Sequence, residues 1–68
     1  MEIHLNGESR KVPEDFSIRQ LIESLNLPPE RIAIELNRNV IRRGDWSSTV
    51  LHDGDRVEVV HFVGGGLV

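Results

Sequence analysis

The chain has 68 residues and no cysteine, with 38% hydrophobic and 28% charged residues, a composition typical of one small globular domain. Its size excludes a catalytic domain with an enclosed cavity, and the lack of cysteine excludes disulfides, thiolate metal sites and cysteine nucleophiles. A formal charge of −3, no signal-peptide pattern and no long apolar run indicate a soluble, cytoplasmic protein that binds neither nucleic acid nor membrane.

The chain opens with a predicted β-hairpin. Residues 1–5 alternate between apolar and polar side chains, which is the period of a half-buried strand. Asn6 and Gly7 tolerate the positive φ angles of a tight turn. Residues 9–12 then form the returning strand, which Pro13 ends.

A helix is predicted to begin at Ser17. Ser17 and Gln20 have the spacing of a capping box, and Phe16 and Leu21 have the spacing of a hydrophobic staple. One apolar stripe follows with helical spacing, formed by Ile18, Leu21, Ile22 and Leu25. Asn26 and the Pro-Pro pair after it end the helix.

The second half of the chain predicts further strands. Residues 32–37 alternate again, Arg38-Asn39 is a turn candidate, and Val40-Ile41 starts a short strand. Residues 46–52 fit either a loop with one helical turn or a short edge strand, with Trp46 covering the edge of the core.

Residues 53–55 predict a tight turn, and residues 56–63 predict a strong final strand. The order β-β-α-β-β-β favours an α+β fold, a mixed sheet of about five strands with one helix packed across it. With the first strand paired to the last in the sheet centre, this is a ubiquitin-like β-grasp. We expect a β-grasp domain over residues 1–63 and a flexible tail over 64–68.

The last strand has two apolar groups beside the tail. If Val57 and Val59 point at the helix, then Val60 and Phe62 lie on the exposed face. Both are candidates for partner docking, because an exposed aromatic group near a reactive end is a suitable anchor. The alternative is that Phe62 simply covers the sheet.

No catalytic or metal-binding constellation is predicted. The histidines are scattered without metal-ligand spacing, at His4, His52 and His61. Asp53 and Asp55 have the character of turn residues, since aspartate bonds its own backbone there. Three arginines form a small basic group that is either solvated or in contact with an acidic partner: Arg38, Arg42 and Arg43.

Three glycines, Gly64, Gly65 and Gly66, follow the last strand and cannot stably continue it. One interpretation is a floppy terminus. The other is a tail without side chains that a partner's narrow channel admits, reaching about 10 Å when extended.

The whole chain resembles the ThiS-type sulfur carriers of thiamine biosynthesis. The resemblance rests on Leu36-Asn37, Val40-Ile41, Arg43, Trp46, residues 53–60 and the terminal glycines. It implies that an E1-like enzyme uses ATP to adenylate the C-terminal carboxylate, which a persulfide from a desulfurase system converts to a thiocarboxylate. A thiazole synthase then receives the sulfur.

The resemblance also implies that Gly66 carries the sulfur, with Gly64 and Gly65 as its stem. The carrier itself would bind no cofactor, catalyse nothing and be a monomer when free. Leu67 and Val68 depart from the family pattern, because the γ-carbons of valine crowd the carboxylate. We expect both to be removed, or to be foreign to the natural chain, before Gly66 is competent.

Two other functions stay open from the sequence. One is the sister carrier that delivers sulfur to the molybdenum cofactor, whose members usually run longer. The other is a ubiquitin-like or TGS-like binding module, in which the sheet face binds and the tail is inert. A carrier should be sensitive to the loss of one tail glycine, whereas a module should tolerate it.

Overall fold

The protein is described by a computed structural model, which defines residues 1–62. Its strands and helix are β1 (Glu2–Leu5), β2 (Glu8–Lys11), α1 (Ile18–Ser24), β3 (Ile32–Leu36), β4 (Asn39–Ile41) and β5 (Arg56–His61). Two short 3-10 turns cover Pro29–Arg31 and Arg43–Asp45. The predicted order of elements is confirmed.

The five strands form one mixed sheet in the order β2-β1-β5-β3-β4. β1 and β5 run parallel in the centre, with Leu5 opposite Val57, and the other neighbouring pairs are antiparallel. The first and last strands are therefore adjacent, and the chain has the predicted ubiquitin-like β-grasp fold.

One face of the sheet packs against α1 and forms the core. Ile18, Leu21 and Ile22 on the helix have no exposed surface. They lie in one cluster with residues of the strands and of the segments that connect them, namely Ile3, Val12, Ile32, Ile34, Trp46, Leu51 and Val57. Trp46 is only 1% exposed, so it lies inside the core rather than at the predicted edge.

The capping box at the start of α1 is confirmed. Ser17 Oγ accepts a hydrogen bond from the Gln20 N–H at 3.1 Å, and Gln20 Oε1 accepts one from the Ser17 N–H at 2.8 Å. Leu25 forms the C-cap, and Asn26 follows with a positive φ of 56°. The helix ends where the sequence predicted, because asparagine tolerates this left-handed conformation.

The turn between β3 and β4 lies one residue earlier than predicted. Asn37 and Arg38 hold its positive φ angles of 50° and 73°, and Asn39 already opens β4. Asparagine suits such a turn, and the Asn37 side chain also joins it to the start of β5: Nδ2 donates to Asp55 Oδ1, and Oδ1 accepts from the Arg56 N–H.

Other boundaries differ by small amounts. β2 is shifted one residue toward the N-terminus, and β5 ends at His61 instead of residue 63. The predicted boundary between residues 63 and 64 lies outside the described residues. Within residues 46–52 there is no edge strand, only a single bridge from Val50 to Ser17.

Candidate functional site

The tail follows β5, the central strand of the sheet. β5 is bonded on one side to β1 and on the other to β3. After its last residue, the Phe62 N–H donates to the Arg31 carbonyl at 2.8 Å, so backbone pairing holds the chain up to Phe62. The three residues predicted to carry the chemistry, Gly64, Gly65 and Gly66, lie outside the described residues.

The side chains of β5 alternate between the two faces of the sheet, as the sequence predicted. Val57 is fully buried and Val59 packs partly against the core, both on the face that holds α1. Val60 is 48% exposed on the opposite face, and Phe62 is half-buried. The two candidate docking residues therefore lie next to the start of the tail, with apolar surface open to a partner.

Two asparagines fix β5 from either side. Asn6 Oδ1 accepts a hydrogen bond from the Val59 N–H at 2.8 Å, and Asn37 Oδ1 accepts one from the Arg56 N–H at 2.9 Å. Both residues have positive φ angles, in the left-handed conformation of a turn. The sequence predicted Asn6 only as a turn residue, and Asn37 entered only as part of the family resemblance. Their roles depend on contacts distant in sequence, and only the turn preference of asparagine hinted at them.

The Asp-Gly-Asp turn before β5 is tied to the first strand. Gly54 has a φ of 85°, and its N–H donates to the Glu2 carbonyl at 2.7 Å. Asp53 Oδ1 accepts a hydrogen bond from the Glu2 N–H, and Asp55 Oδ2 accepts one from the His52 N–H. Both aspartates thus act as turn residues that set the start of β5, as the sequence indicated.

Two arginines of the predicted basic group, Arg38 and Arg43, lie in different turns of the chain. Arg38 lies in the β3–β4 turn, whereas Arg43 packs over the ring of Trp46 at 5.8 Å and donates to the Pro29 carbonyl at 3.1 Å. Arg43 therefore joins the two 3-10 turns, a structural role that the sequence did not reveal.

Residues 1–62 contain neither a metal-binding cluster nor a membrane-spanning helix. Within this part of the chain, no three histidine, aspartate or glutamate side chains come close enough to hold a metal ion. The same residues contain no helix with the length and apolar character needed to cross a membrane.

Comparison with known proteins decides the family. The model of the ThiS family matches residues 3–66, nearly the whole chain. The chain belongs to the ThiS family. A ThiS relative, the sulfur carrier protein ThiS of Bacillus subtilis, is 35% identical over 65 residues, which cover 94% of this chain and 98% of the relative.

Solved structures agree with this assignment. The ThiS thiamine biosynthesis protein from Geobacter metallireducens is similar with a TM-score of 0.85 and 33% sequence identity. The similarity covers 97% of this chain and 100% of that protein. The fold is therefore that of a ThiS protein.

A further similarity is to much longer proteins. A thiazole synthase of Magnetococcus marinus is 42% identical over 66 residues, which cover 97% of this chain. The chain spans only 20% of that synthase, and the same fraction of a second thiazole synthase from Paramagnetospirillum magneticum. Each of these synthases thus contains a ThiS-like segment within a longer polypeptide.

Proposed function

We propose that this ThiS-family chain is a sulfur carrier of thiamine biosynthesis that acts through the backbone carboxylate of Gly66 and is not itself an enzyme. The family match from residue 3 to Gly66 carries the proposal. The full-length similarity to a protein named sulfur carrier supports it. Leu67 and Val68 lie beyond the matched residues, in agreement with their proposed removal before Gly66 reacts.

The proposed chemistry needs only the carboxylate. An E1-like enzyme adenylates it: an oxygen of Gly66 attacks the α-phosphorus of ATP, and pyrophosphate leaves. The persulfide of a donor from a desulfurase system then attacks the acyl carbon and AMP leaves, forming an acyl disulfide. A thiol cleaves that disulfide, which leaves a thiocarboxylate on Gly66 and a disulfide on the donor.

The proposed acceptor of the sulfur is a thiazole synthase. Two relatives with that name contain a segment similar to this chain, which favours a carrier and an acceptor that work together. The ThiS-family match likewise favours thiamine biosynthesis over the molybdopterin-type carrier. The carrier needs no cofactor of its own in this scheme, because the activating enzyme consumes the ATP.

Docking is proposed to involve Val60 and Phe62. Val60 presents apolar surface on the face opposite α1, and Phe62, at the end of the described residues, is held by its backbone hydrogen bond to Arg31. A partner that covers both residues would bind the domain close in sequence to Gly64, Gly65 and Gly66. A few anchor residues supply most of the binding energy in many interfaces.

The tail can be tested by comparing alanine substitutions at two glycines. In a chain ending at Gly66, Gly65→Ala adds a Cβ next to the reacting residue, and we expect sulfur loading to slow by about tenfold or more. Gly44→Ala is the matched control, because a Cβ there would meet no atom within 4 Å. Intact mass after incubation with the activating enzyme, ATP and a sulfur donor gives the rate of loading.

Equal loading of the two variants and the unsubstituted chain would show that a Cβ at residue 65 is tolerated, and the expected requirement for glycine there would be wrong. No loading of any of the three, with the activating enzyme active on another carrier, would overturn the carrier proposal in favour of a β-grasp binding module.

The docking residues are tested by Phe62→Ala. We expect weaker affinity for a partner enzyme and slower sulfur transfer, with circular dichroism unchanged because Phe62 lies outside the fully buried core. An affinity and a transfer rate equal to those of the unsubstituted protein would show that Phe62 only covers the sheet.

A further inference from the structure

The end of β5 is bonded to the first of the two 3-10 turns. The Phe62 N–H donates to the Arg31 carbonyl at 2.8 Å, and Arg31 is the last residue of the turn Pro29–Arg31. The carbonyl that holds Phe62 thus belongs to a short turn rather than to a strand. The position of this turn therefore sets where Phe62 lies, two residues before Gly64 in the sequence.

The turn Pro29–Arg31 has few contacts of its own to fix it. It has three residues, and the Arg31 N–H donates to the Pro28 carbonyl at 3.0 Å. Among residues 1–62, no side chain caps the start of the turn, and none of its own residues is buried. A short 3-10 turn without buried residues has low local stability, so contacts from elsewhere in the chain must hold its position.

Arg43 makes such a contact. Its Nε donates to the Pro29 carbonyl at 3.1 Å, from a residue 14 positions later in the chain. Its guanidinium carbon also lies 5.8 Å from the centroid of the Trp46 ring, within the range of a cation–π contact. Trp46 is itself fixed, since it is buried and its Nε1 donates to the Ile41 carbonyl at 3.0 Å. Arg43 therefore joins the first turn to a side chain of the core.

We propose that Arg43 is a positioning residue for sulfur loading, because it holds the turn whose Arg31 carbonyl fixes Phe62 ahead of the tail. The inference rests on the proposed carrier function, in which the activating enzyme brings the carboxylate of Gly66 to ATP. Three residues separate Phe62 from Gly66. A displaced Phe62 therefore leaves that carboxylate out of place when the tail is extended in the enzyme's channel. Misplacement of a reacting group by about 1 Å is enough to slow a reaction strongly.

The first test measures hydrogen exchange by NMR in Arg43→Lys, which keeps the charge. Lysine lacks the planar guanidinium that both donates to Pro29 and lies over Trp46. We expect the Phe62 amide to exchange about tenfold faster in the variant, whereas the Val59 amide, which is bonded to Asn6, keeps its rate. Equally faster exchange at both amides would mean that Arg43 stabilises only the fold as a whole, and would overturn the inference.

The second test measures the kinetics of sulfur loading in chains that end at Gly66. We expect Arg43→Lys to lower kcat by about threefold or more with KM nearly unchanged, because the domain still binds but presents its carboxylate poorly. Arg10→Lys is the matched control, since it makes the same change on the exposed strand β2, which β1 separates from β5. Its kinetics should equal those of the unsubstituted chain. A raised KM with unchanged kcat in Arg43→Lys would indicate direct contact with the enzyme and overturn the positioning role.

The two measurements separate this inference from the proposed function. If the unsubstituted chain loads sulfur and Arg43→Lys loads as fast as Arg10→Lys, the positioning role alone is overturned. Unchanged exchange of the Phe62 amide in Arg43→Lys overturns that role whatever the loading rate. An unsubstituted chain that never loads sulfur, with the activating enzyme active on another carrier, overturns the proposed function and this inference with it.

Discussion

Arg38 has a backbone conformation that few residues adopt. Its φ of 73° lies in the left-handed region, which costs a residue with a full side chain about 1–2 kcal/mol and suits glycine. We expect Arg38→Gly to raise the free energy of unfolding by about 0.5–1 kcal/mol, after the entropy that glycine loses on folding is subtracted. Urea unfolding followed by the fluorescence of the single tryptophan measures the change.

Arg42→Gly is the control for this prediction. Arg42 has an ordinary φ of −65°, so the substitution removes the same charge without relieving strain. It should therefore lower stability slightly. If both substitutions have the same effect, strain at Arg38 is not the cause.

Trp46 combines burial with a hydrogen bond. Its side chain is 1% exposed, and Nε1 donates to the Ile41 carbonyl at 3.0 Å. Trp46→Phe removes this donor and leaves a smaller ring in the core, so we expect a loss of about 2–3 kcal/mol in stability. Thermal unfolding followed by circular dichroism measures it, because the variant lacks the fluorescent probe.

The comparison for Trp46 is Val40→Ala at a residue that is 70% exposed, where the loss should stay below about 0.5 kcal/mol. A Trp46→Phe variant no less stable than Val40→Ala would contradict the role assigned to Trp46 in the core.

At the scale of elements, α1 depends on its capping box. The helix has only seven residues, so the two bonds between Ser17 and Gln20 satisfy a large share of its free N–H groups. Ser17→Ala should cost about 1 kcal/mol in unfolding free energy, measured by urea denaturation.

Ser24→Ala is a matched change at the other end of the same helix. The Ser24 hydroxyl donates only to the Leu21 carbonyl, and alanine is the better helix former. This variant should be neutral or slightly more stable. Equal losses at Ser17 and Ser24 would show that the capping box is not what stabilises α1.

The elements differ in how well the sequence alone predicts them. α1 was predictable because its cap, apolar stripe and end are local signals. The segment after Trp46 was not, because distant backbone bonds shape it. The Leu51 N–H donates to the Phe16 carbonyl at 2.7 Å, and the Ile18 N–H donates to the Thr49 carbonyl at 3.0 Å. The β3–β4 turn was displaced by one residue because Asn37 and Asn39 both suit turns, and only the bonds of Asn37 to the start of β5 distinguish them.

At the scale of the whole molecule, the sheet brings the first strand beside the last. Periodicity predicts the strands, but their spatial order comes from pairing over long sequence distances, which was predicted only as an inference from the fold type that this order of elements favours. The candidate site was predictable only in part. Alternation identified Val60 and Phe62, whereas the bonds of Asn6 and Asn37 to β5 depend on contacts distant in sequence. The proposed reacting group is a backbone carboxylate, which leaves no side-chain pattern to recognise.

The central claim is that this domain carries sulfur on Gly66, and intact mass spectrometry tests it most directly. The chain ending at Gly66 and the chain ending at Val68 are each incubated with the activating enzyme, ATP and a sulfur donor. We predict that only the shorter chain gains the mass of one oxygen replaced by sulfur. A gain in both would retain the carrier and show that Leu67 and Val68 need not be removed. No gain in either, with the enzyme active on another carrier, would contradict the account.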